Sequence, residues 1–412
     1  MAHFGNCPIP CERVQRLSID NENNWMLRAR LLFLVAASLL VLLSSGCVAN
    51  HTVVSGPTVS PTAEEEILFF LSPASMSPDG QYWSLTVQGR IFNPTVESKH
   101  QADLIDAIAV LDGHEKATPL FLDRANYFLS HSDKNGRVSI RIGAETFPLV
   151  TSDSGGYFAA QIVLAKEMVE KLANNGAVAF QSSPTAANSK VFSGVVILVP
   201  EEGLSVVTDM DDTIKDSHVL DRTELLKNTF VREFKVIPYM PELYRSWKQA
   251  LGARIQFHVV SAGPWQLYDP LQAFTQSAKF PAFTWHMRSV DINSFTPAHL
   301  EELKLQPSVL YDFKVRRIEE LMRQFPKRHF VFVGDSGEMD PEVYAYVLRE
   351  CPGRVDAVFI HNVSERPLDV ERQQLFPPNV AAKFRVFGDP RELPALDTFP
   401  AAHGLCNLPT AP

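Results

Sequence analysis

The chain has 412 residues, of which 45% are hydrophobic and 21% charged, with a formal net charge of -9. That balance excludes collagen-like, disordered and multi-spanning membrane chains, and the length suits two folded units plus extra segments. A negative mean field disfavours nucleic acid as a partner, because it repels phosphates.

Residues 1–25 are polar, and from Met26 the sequence changes character. Arg28 and Arg30 precede the apolar run Leu31–Leu43, which ends in Ser44-Ser45-Gly46-Cys47. A positive segment, a short apolar segment and small residues form a secretion signal, and the run falls short of the ~20 residues that cross a bilayer. The residues before Cys47 resemble a bacterial lipobox, although Ser44 stands where Leu is usual. The resemblance implies that Met26 is the true start and that Cys47 is acylated. It also implies a lipid anchor in the cell envelope facing the periplasm, with Val48 pointing to the outer membrane. The alternative is a single anchor helix, obtained by stretching the run to Ala49. Cys7, Cys11, Cys47, Cys351 and Cys406 have neither the spacing of a metal site nor the density of a disulfide framework.

Residues 48–65 read as a flexible linker. From 66 to 200 alternating patterns predict strands, with Trp83, Leu85, Val87, Gly89 and Ile91 on one face and Val138, Ile140 and Ile142 on another. Segments 102–112 and 118–129 read as helical, and Val195–Val199 is a continuous apolar run. This is a β-rich N-terminal domain. After Pro200 short apolar strands alternate with amphipathic helices, the pattern of a parallel sheet covered on both faces. Strands are predicted at 204–208, 255–260, 329–333 and 355–360, and helices near 241–251, 265–277, 312–325 and 341–350. Residues 371–412 carry Pro377, Pro378, Pro390, Pro394 and Pro400, which predict a tail that wraps the surface or stays disordered.

In an open parallel sheet ligands collect at the carboxyl ends of the strands. The strand ending at Thr208 is followed by Asp209-Met210-Asp211-Asp212-Thr213, three carboxylates that repel one another unless a cation or hydrogen bonds compensate. Taken alone, this turn suits a helix cap or a calcium loop equally well. Further along, Val260 is followed by Ser261, a helix carries Lys314, and Val333 is followed by Gly334-Asp335-Ser336-Gly337-Glu338-Met339-Asp340. A carboxylate nucleophile, a second carboxylate as acid, Ser and Lys for phosphoryl oxygens and a Mg2+ site are the groups that phosphoryl transfer needs.

In this order the four segments resemble the motifs of the haloacid dehalogenase superfamily. More narrowly, Thr208–Lys215, Val260–Tyr268 and Gly334–Glu342 resemble the phosphatidate phosphatase family typified by the fungal actin-patch enzyme and related to lipins. The resemblance implies an α/β fold: a Rossmann-like parallel-sheet haloacid dehalogenase domain at 201–370, preceded by the β-rich domain at 66–200. It implies that Asp209 is the nucleophile and Asp211 the general acid and then base. Ser261, Lys314 and Arg288 would bind the substrate phosphate, and Thr213 and Asp340 would support the geometry. Asp209, Asp211 and Asp335 would hold Mg2+. Phe313 departs from a common His, and His361-Asn362 from a common Arg-Asp, which bears on substrate preference. The implied reaction is hydrolysis of a phosphomonoester, phosphatidate first, through an aspartyl-phosphate. The alternatives are a soluble phosphomonoester and a phosphatidate-binding module without catalysis. Lys215–Met240 is expected to form a flap, and Trp265 and Tyr268 to pack rather than bind substrate.

Overall fold

The computed structural model describes residues 60–95, 118–130, 135–290, 306–364, 366–397 and 406–408. Cys47, the apolar run before it and the predicted helix at 102–112 lie outside them. Among the described residues no helix is long and apolar enough to cross a membrane.

The first half forms an eight-stranded sheet from β1 (Glu66–Phe70), β2 (Ser72–Met76), β3 (Tyr82–Phe92), β4 (Arg137–Ile142), β5 (Glu145–Thr151), β6 (Tyr157–Ala165), β7 (Ala177–Ser182) and β8 (Ser193–Leu198). β1 and β2 both pair antiparallel with the long β3, whose other neighbour is β6. β2 pairs parallel with β8, which makes the sheet mixed. Helix α1 (Pro119–Leu129) is capped by Thr118, whose Oγ1 accepts from Phe121 N at 3.2 Å, and buries Phe121, Ala125 and Phe128 at helical spacing. Helix α2 (Lys166–Leu172) follows β6 directly.

A six-stranded sheet follows, built from β9 (Gly203–Thr208), β12 (Ile255–Pro264), β13 (Phe283–Arg288), β14 (Arg328–Asp335), β15 (Val355–His361) and β16 (Phe384–Phe387). Its order is β13-β12-β9-β14-β15-β16, and every pairing is parallel. Every residue of β9 and β14 is buried, as expected of strands covered on both faces. The covering helices are α4 (Met240–Leu251), α5 (Tyr268–Ser277), α6 (Pro307–Gln324) and α7 (Asp340–Glu350), which realise the four predicted helices with α6 starting earlier than expected. Between β9 and α4 lie the two-residue strands β10 (Lys215–Asp216) and β11 (Lys235–Val236), which pair antiparallel, with helix α3 (Arg222–Leu226) between them.

The expected fold class, a Rossmann-like haloacid dehalogenase domain preceded by a β-rich domain, is corrected in its Rossmann-like part, while the first half is β-rich. The structure has a mixed sheet and a separate all-parallel sheet, and one of its three buried hydrophobic clusters draws side chains from both. Phe70, Phe121, Phe128 and Tyr157 belong to the same hydrophobic cluster as Val206, Trp247, Phe257 and Trp285. Phe70 stacks on Trp265 with ring centroids 4.0 Å apart, and the Tyr268 hydroxyl accepts from Leu71 N at 2.9 Å. Trp265 and Tyr268 therefore pack, as expected, but they pack between the two sheets. Alternation along a strand reports which face is apolar, and it does not report which aromatic from elsewhere will cover it.

The described part of the tail is ordered against the second half: helix α8 (Val370–Gln374) precedes strand β16, which extends the parallel sheet, the Trp247 indole donates to Pro394 O at 3.0 Å, and Cys406 is disulfide-bonded to Cys351. Phe376 stacks on Phe384 with centroids 3.7 Å apart.

Three groups in the parallel sheet carry unusual electrostatics. The Arg328 guanidinium is fully buried and donates to Ser205 Oγ at 2.8 Å and to the carbonyls of Pro200, Glu202, Leu204 and Arg254, and burial lowers its pKa to about 9. His258 bridges Thr284 Oγ1 at 2.7 Å and Ser205 Oγ at 3.1 Å, and burial holds it well below the usual histidine range. His286, its half-buried neighbour, is pushed down to about 3, first by burial and then by Arg317. The unfolded chain takes up these protons below pH ~6.5 and the folded chain does not, so stability is lost as pH falls from there toward 3. At pH 5 this amounts to at most about 2 kcal/mol for His286. Urea unfolding from pH 7 to 5 should show a shallower fall for His286→Gln than for the wild type, and equal slopes would reject the assignment.

Candidate active site

β9 and β14 are adjacent, and the chain runs from β9 to β12 and β13 on one side before returning to β14 on the other, so a crevice opens at the carboxyl ends of β9 and β14. Asp209 and Asp335 lie there. Asp209 N donates to Val333 O at 2.9 Å, which carries the β9–β14 pairing one residue past the strand. Tyr244 on α4 donates to Thr208 Oγ1 at 2.9 Å and fixes the strand end from beneath.

After Asp209 the backbone turns sharply. Asp212 has φ 51°, in the left-handed region, and its carboxylate accepts from the backbone N–H groups of Ser217, His218 and Val219 at 2.6, 2.8 and 2.7 Å. The third acid of the motif therefore builds the turn. His361, where a family Arg was noted, contacts Asp212 O through Nδ1 at 2.6 Å. Thr213 is buried with its Oγ1 lacking a partner.

Lys314 reaches the crevice from α6 with 1% exposure. Its ammonium lies 3.0 Å from Asp209 Oδ1, 2.5 Å from Asp340 Oδ1 and 3.5 Å from Glu338 Oε2. Burial would discharge it, and Asp209, Asp340 and Glu338 together reverse that and hold it charged. Asp340 Oδ2 also accepts from Asp335 N at 3.1 Å. A Cβ on Gly334 would lie 2.3 Å from Asp340 Oδ2, so glycine is what lets the acid approach the strand. Asp335 Oδ1 accepts from Gly337 N at 2.6 Å and Glu338 N at 3.0 Å.

Asp209, Asp335 and Glu338 each offer a carboxylate oxygen within 4.8 Å of the others. Asp209 Oδ2 and Asp335 Oδ2 are buried without a hydrogen-bond partner. Burial pushes both carboxyls up, and so do the neighbouring acids, with one lysine opposing four carboxylates. Orphaned buried oxygens and uncompensated negative charge fit a hard divalent cation. Glu338 is the member of this cluster that sequence reasoning passed over, since it looks like any surface acid until the Gly337 turn brings it inward.

Asp211 stands apart. Its Oδ1 accepts from Lys215 Nζ at 2.8 Å and Ser217 Oγ at 2.6 Å, so the carboxylate is not brought into the cluster with Asp209 and Asp335. Burial raises its pKa, but Lys215, Ser217 and Lys314 outweigh that and hold it below the ordinary value. Ser261, just past the regularly paired part of β12, is buried and its Oγ accepts from Gly263 N at 3.1 Å. Arg288 lies across from Pro264 in β13, donates through Nε to Ala262 O at 3.2 Å, and keeps Nη2 buried without a partner.

A cleft of about 370 Å3 opens from this crevice. Asp211, Ser261 and Glu338 line its polar end, and Leu225, Leu226, Phe230, Leu267, Leu310 and Met339 its apolar walls. The Lys215–Met240 segment, expected to form a flap, supplies several of those walls.

The site thus combines a buried carboxylate with one oxygen on an ammonium and the other without a hydrogen-bond partner, a nearby serine and an apolar cleft, groups that hydrolysis of an anionic ester can use. Residues 204–362 match the family described as Phosphatidate phosphatase APP1, catalytic domain. Over that segment the chain is similar to that family. It is 29% identical over 171 residues to Phosphatidate phosphatase APP1 of Saccharomyces cerevisiae, covering 41% of this chain and 27% of that one. It is 23% identical over 291 residues to the uncharacterized protein C29B5.04c of Schizosaccharomyces pombe, covering 66% and 44%. The chain thus spans less than half the length of these curated relatives. Among solved structures, a β-glucuronidase of Parabacteroides merdae aligns at 10% identity and a TM-score of 0.25, over 72% of this chain and 40% of that one, too low to bear on the fold.

Proposed function

We propose that the chain is a Mg2+-dependent phosphatase that hydrolyses phosphatidate to diacylglycerol and phosphate through an aspartyl-phosphate on Asp209. The observation that carries this reading is the environment of Asp209, with Lys314 on Oδ1 and Oδ2 buried and unpartnered beside Asp335 and Glu338. The apolar walls next to Ser261 favour a phosphate ester carrying acyl chains over a small soluble one.

Asp209 attacks phosphorus, the bond to the glycerol oxygen breaks, and the departing oxygen takes a proton from Asp211. Asp211 then removes a proton from water, which attacks phosphorus and releases inorganic phosphate and free Asp209. The Lys215 contact favours the Asp211 carboxylate, the form the second step needs, so the first step requires that contact to loosen. Ser261 and Lys314 hold phosphoryl oxygens, and Arg288 supplies a further donor through Nη2. Thr213 and Asp340 keep the turn and Lys314 in place. Asp209, Asp335 and Glu338 would hold Mg2+, and the bound ion offsets phosphoryl charge. We place the protein in a bacterial envelope, anchored at Cys47 and facing the periplasm. The Cys351–Cys406 disulfide supports an oxidising compartment.

Purified protein with Mg2+ should release phosphate from phosphatidate in mixed micelles at least tenfold faster than from glycerol phosphate, and chelation should stop both. Faster release from the soluble ester would reverse the substrate assignment. Binding of phosphatidate without release would end the enzymatic reading.

A further inference from the structure

We infer that Arg372 is a positioning residue of the cation site, holding in place the acidic loop that carries Asp335 and Glu338. The inference rests on the metal-dependent reading above and extends it to a part of the chain beyond the matched segment, which ends at 362. Arg372 lies on α8, in the segment whose prolines suggested a loose tail.

The Arg372 guanidinium makes three directed contacts. Nε donates to Glu342 Oε1 at 2.8 Å, Nη1 to Ser336 O at 2.5 Å and Nη2 to Glu338 O at 2.7 Å. The two carbonyls belong to the turn whose N–H groups, from Gly337 and Glu338, hold Asp335 Oδ1. One side chain therefore fixes the outer face of a turn whose inner face orients a cation ligand. Glu342 is in the first turn of α7, so the same guanidinium ties the loop to the helix that carries Asp340.

α8 is itself held firmly enough to act as an anchor. Asp369 caps it by accepting from Arg372 N at 2.8 Å, and Leu368 and Phe376 on either side are buried. The planar, forked geometry matters here. A lysine carries the same charge but cannot reach two carbonyls and a carboxylate at once.

Groups that orient metal ligands from behind typically change metal affinity 10- to 100-fold when removed. In Mg2+ titration calorimetry on the full chain, Arg372→Ala should therefore bind Mg2+ about 10- to 100-fold more weakly than the wild type. Arg372→Lys should recover only part of the loss, and Glu371→Ala, at an exposed neighbour, should bind Mg2+ as the wild type does. The Mg2+ concentration that half-saturates phosphate release should rise in parallel, with most of kcat returning at saturating Mg2+. Wild-type Mg2+ affinity in Arg372→Ala, or full recovery in Arg372→Lys, would overturn the inference while leaving the phosphatase reading intact. A wild type that binds no Mg2+ would overturn both. If Arg372→Ala does not fold, Arg372→Lys decides alone, since its loss of affinity at unchanged thermal stability separates positioning from support of the fold.

Discussion

Asp209→Asn should release phosphate at least about 10^4-fold more slowly than the wild type, the order of loss expected when a covalent nucleophile is removed. The amide keeps the volume of the carboxylate and cannot form the acyl phosphate. It also leaves Lys314 with Asp340 and Glu338, so the ammonium stays paired. The fold should survive for a further reason. Burial first, and the nearby acids next, disfavour charge on Asp209, while Lys314 alone favours it. Replacing the group with a neutral one relieves that repulsion when Mg2+ is absent. Urea unfolding without Mg2+ should thus give a midpoint no lower than that of the wild type, beside a dead enzyme. Turnover near the wild-type rate would remove Asp209 from the mechanism. A quenched wild-type reaction should carry a phosphoryl group labile to hydroxylamine, and the variant should not.

The groups legible in the sequence were those lying just past apolar runs. Asp209 and Ser261 come directly after the apolar runs that end at Thr208 and Val260, and Asp335 two residues after Val333, so a strand pattern is enough to place them on one edge. Lys314 had no such signal of its own; its order relative to the others found it. What stayed hidden depended on side-chain direction or on distant chain. The resemblance implied Asp211 as a ligand, and beside the left-handed turn at Asp212 its carboxylate instead meets Lys215 and Ser217. Glu338 needed the Gly337 turn to come inward, where a Cβ would meet Val219 at 2.5 Å. β16 is four residues between proline-rich stretches, too short for its period to be seen. Cys351 and Cys406 are 55 residues apart, and only the return of the tail to the sheet brings them together. The shared core between the sheets was hidden for the same reason, since Phe70 and Trp265 show no pattern that links them.

Lys314→Met should give the largest loss of stability of any variant at the site. The side chain is 1% exposed, and its partners Asp209 and Asp340 are at 2% and 0%. Removing one member of a buried ion pair leaves the other desolvated and uncompensated, which costs about 3–5 kcal/mol. Here the carboxylates outnumber the single ammonium, so the loss should sit at the upper end when Mg2+ is absent. Two conditions should offset it. Mg2+ replaces part of the missing positive charge, and low pH neutralises carboxyls that burial has already pushed upward. The difference in urea midpoint between Lys314→Met and the wild type should therefore be largest at pH 8 with chelator and smallest at pH 5 with Mg2+. A difference that ignores both would mean that Lys314 matters for packing and not for charge. Activity should stay low even where stability is restored, because a cation on Asp209, Asp335 and Glu338 does not replace the ammonium on Asp209 Oδ1 that a transferring phosphoryl group has to meet.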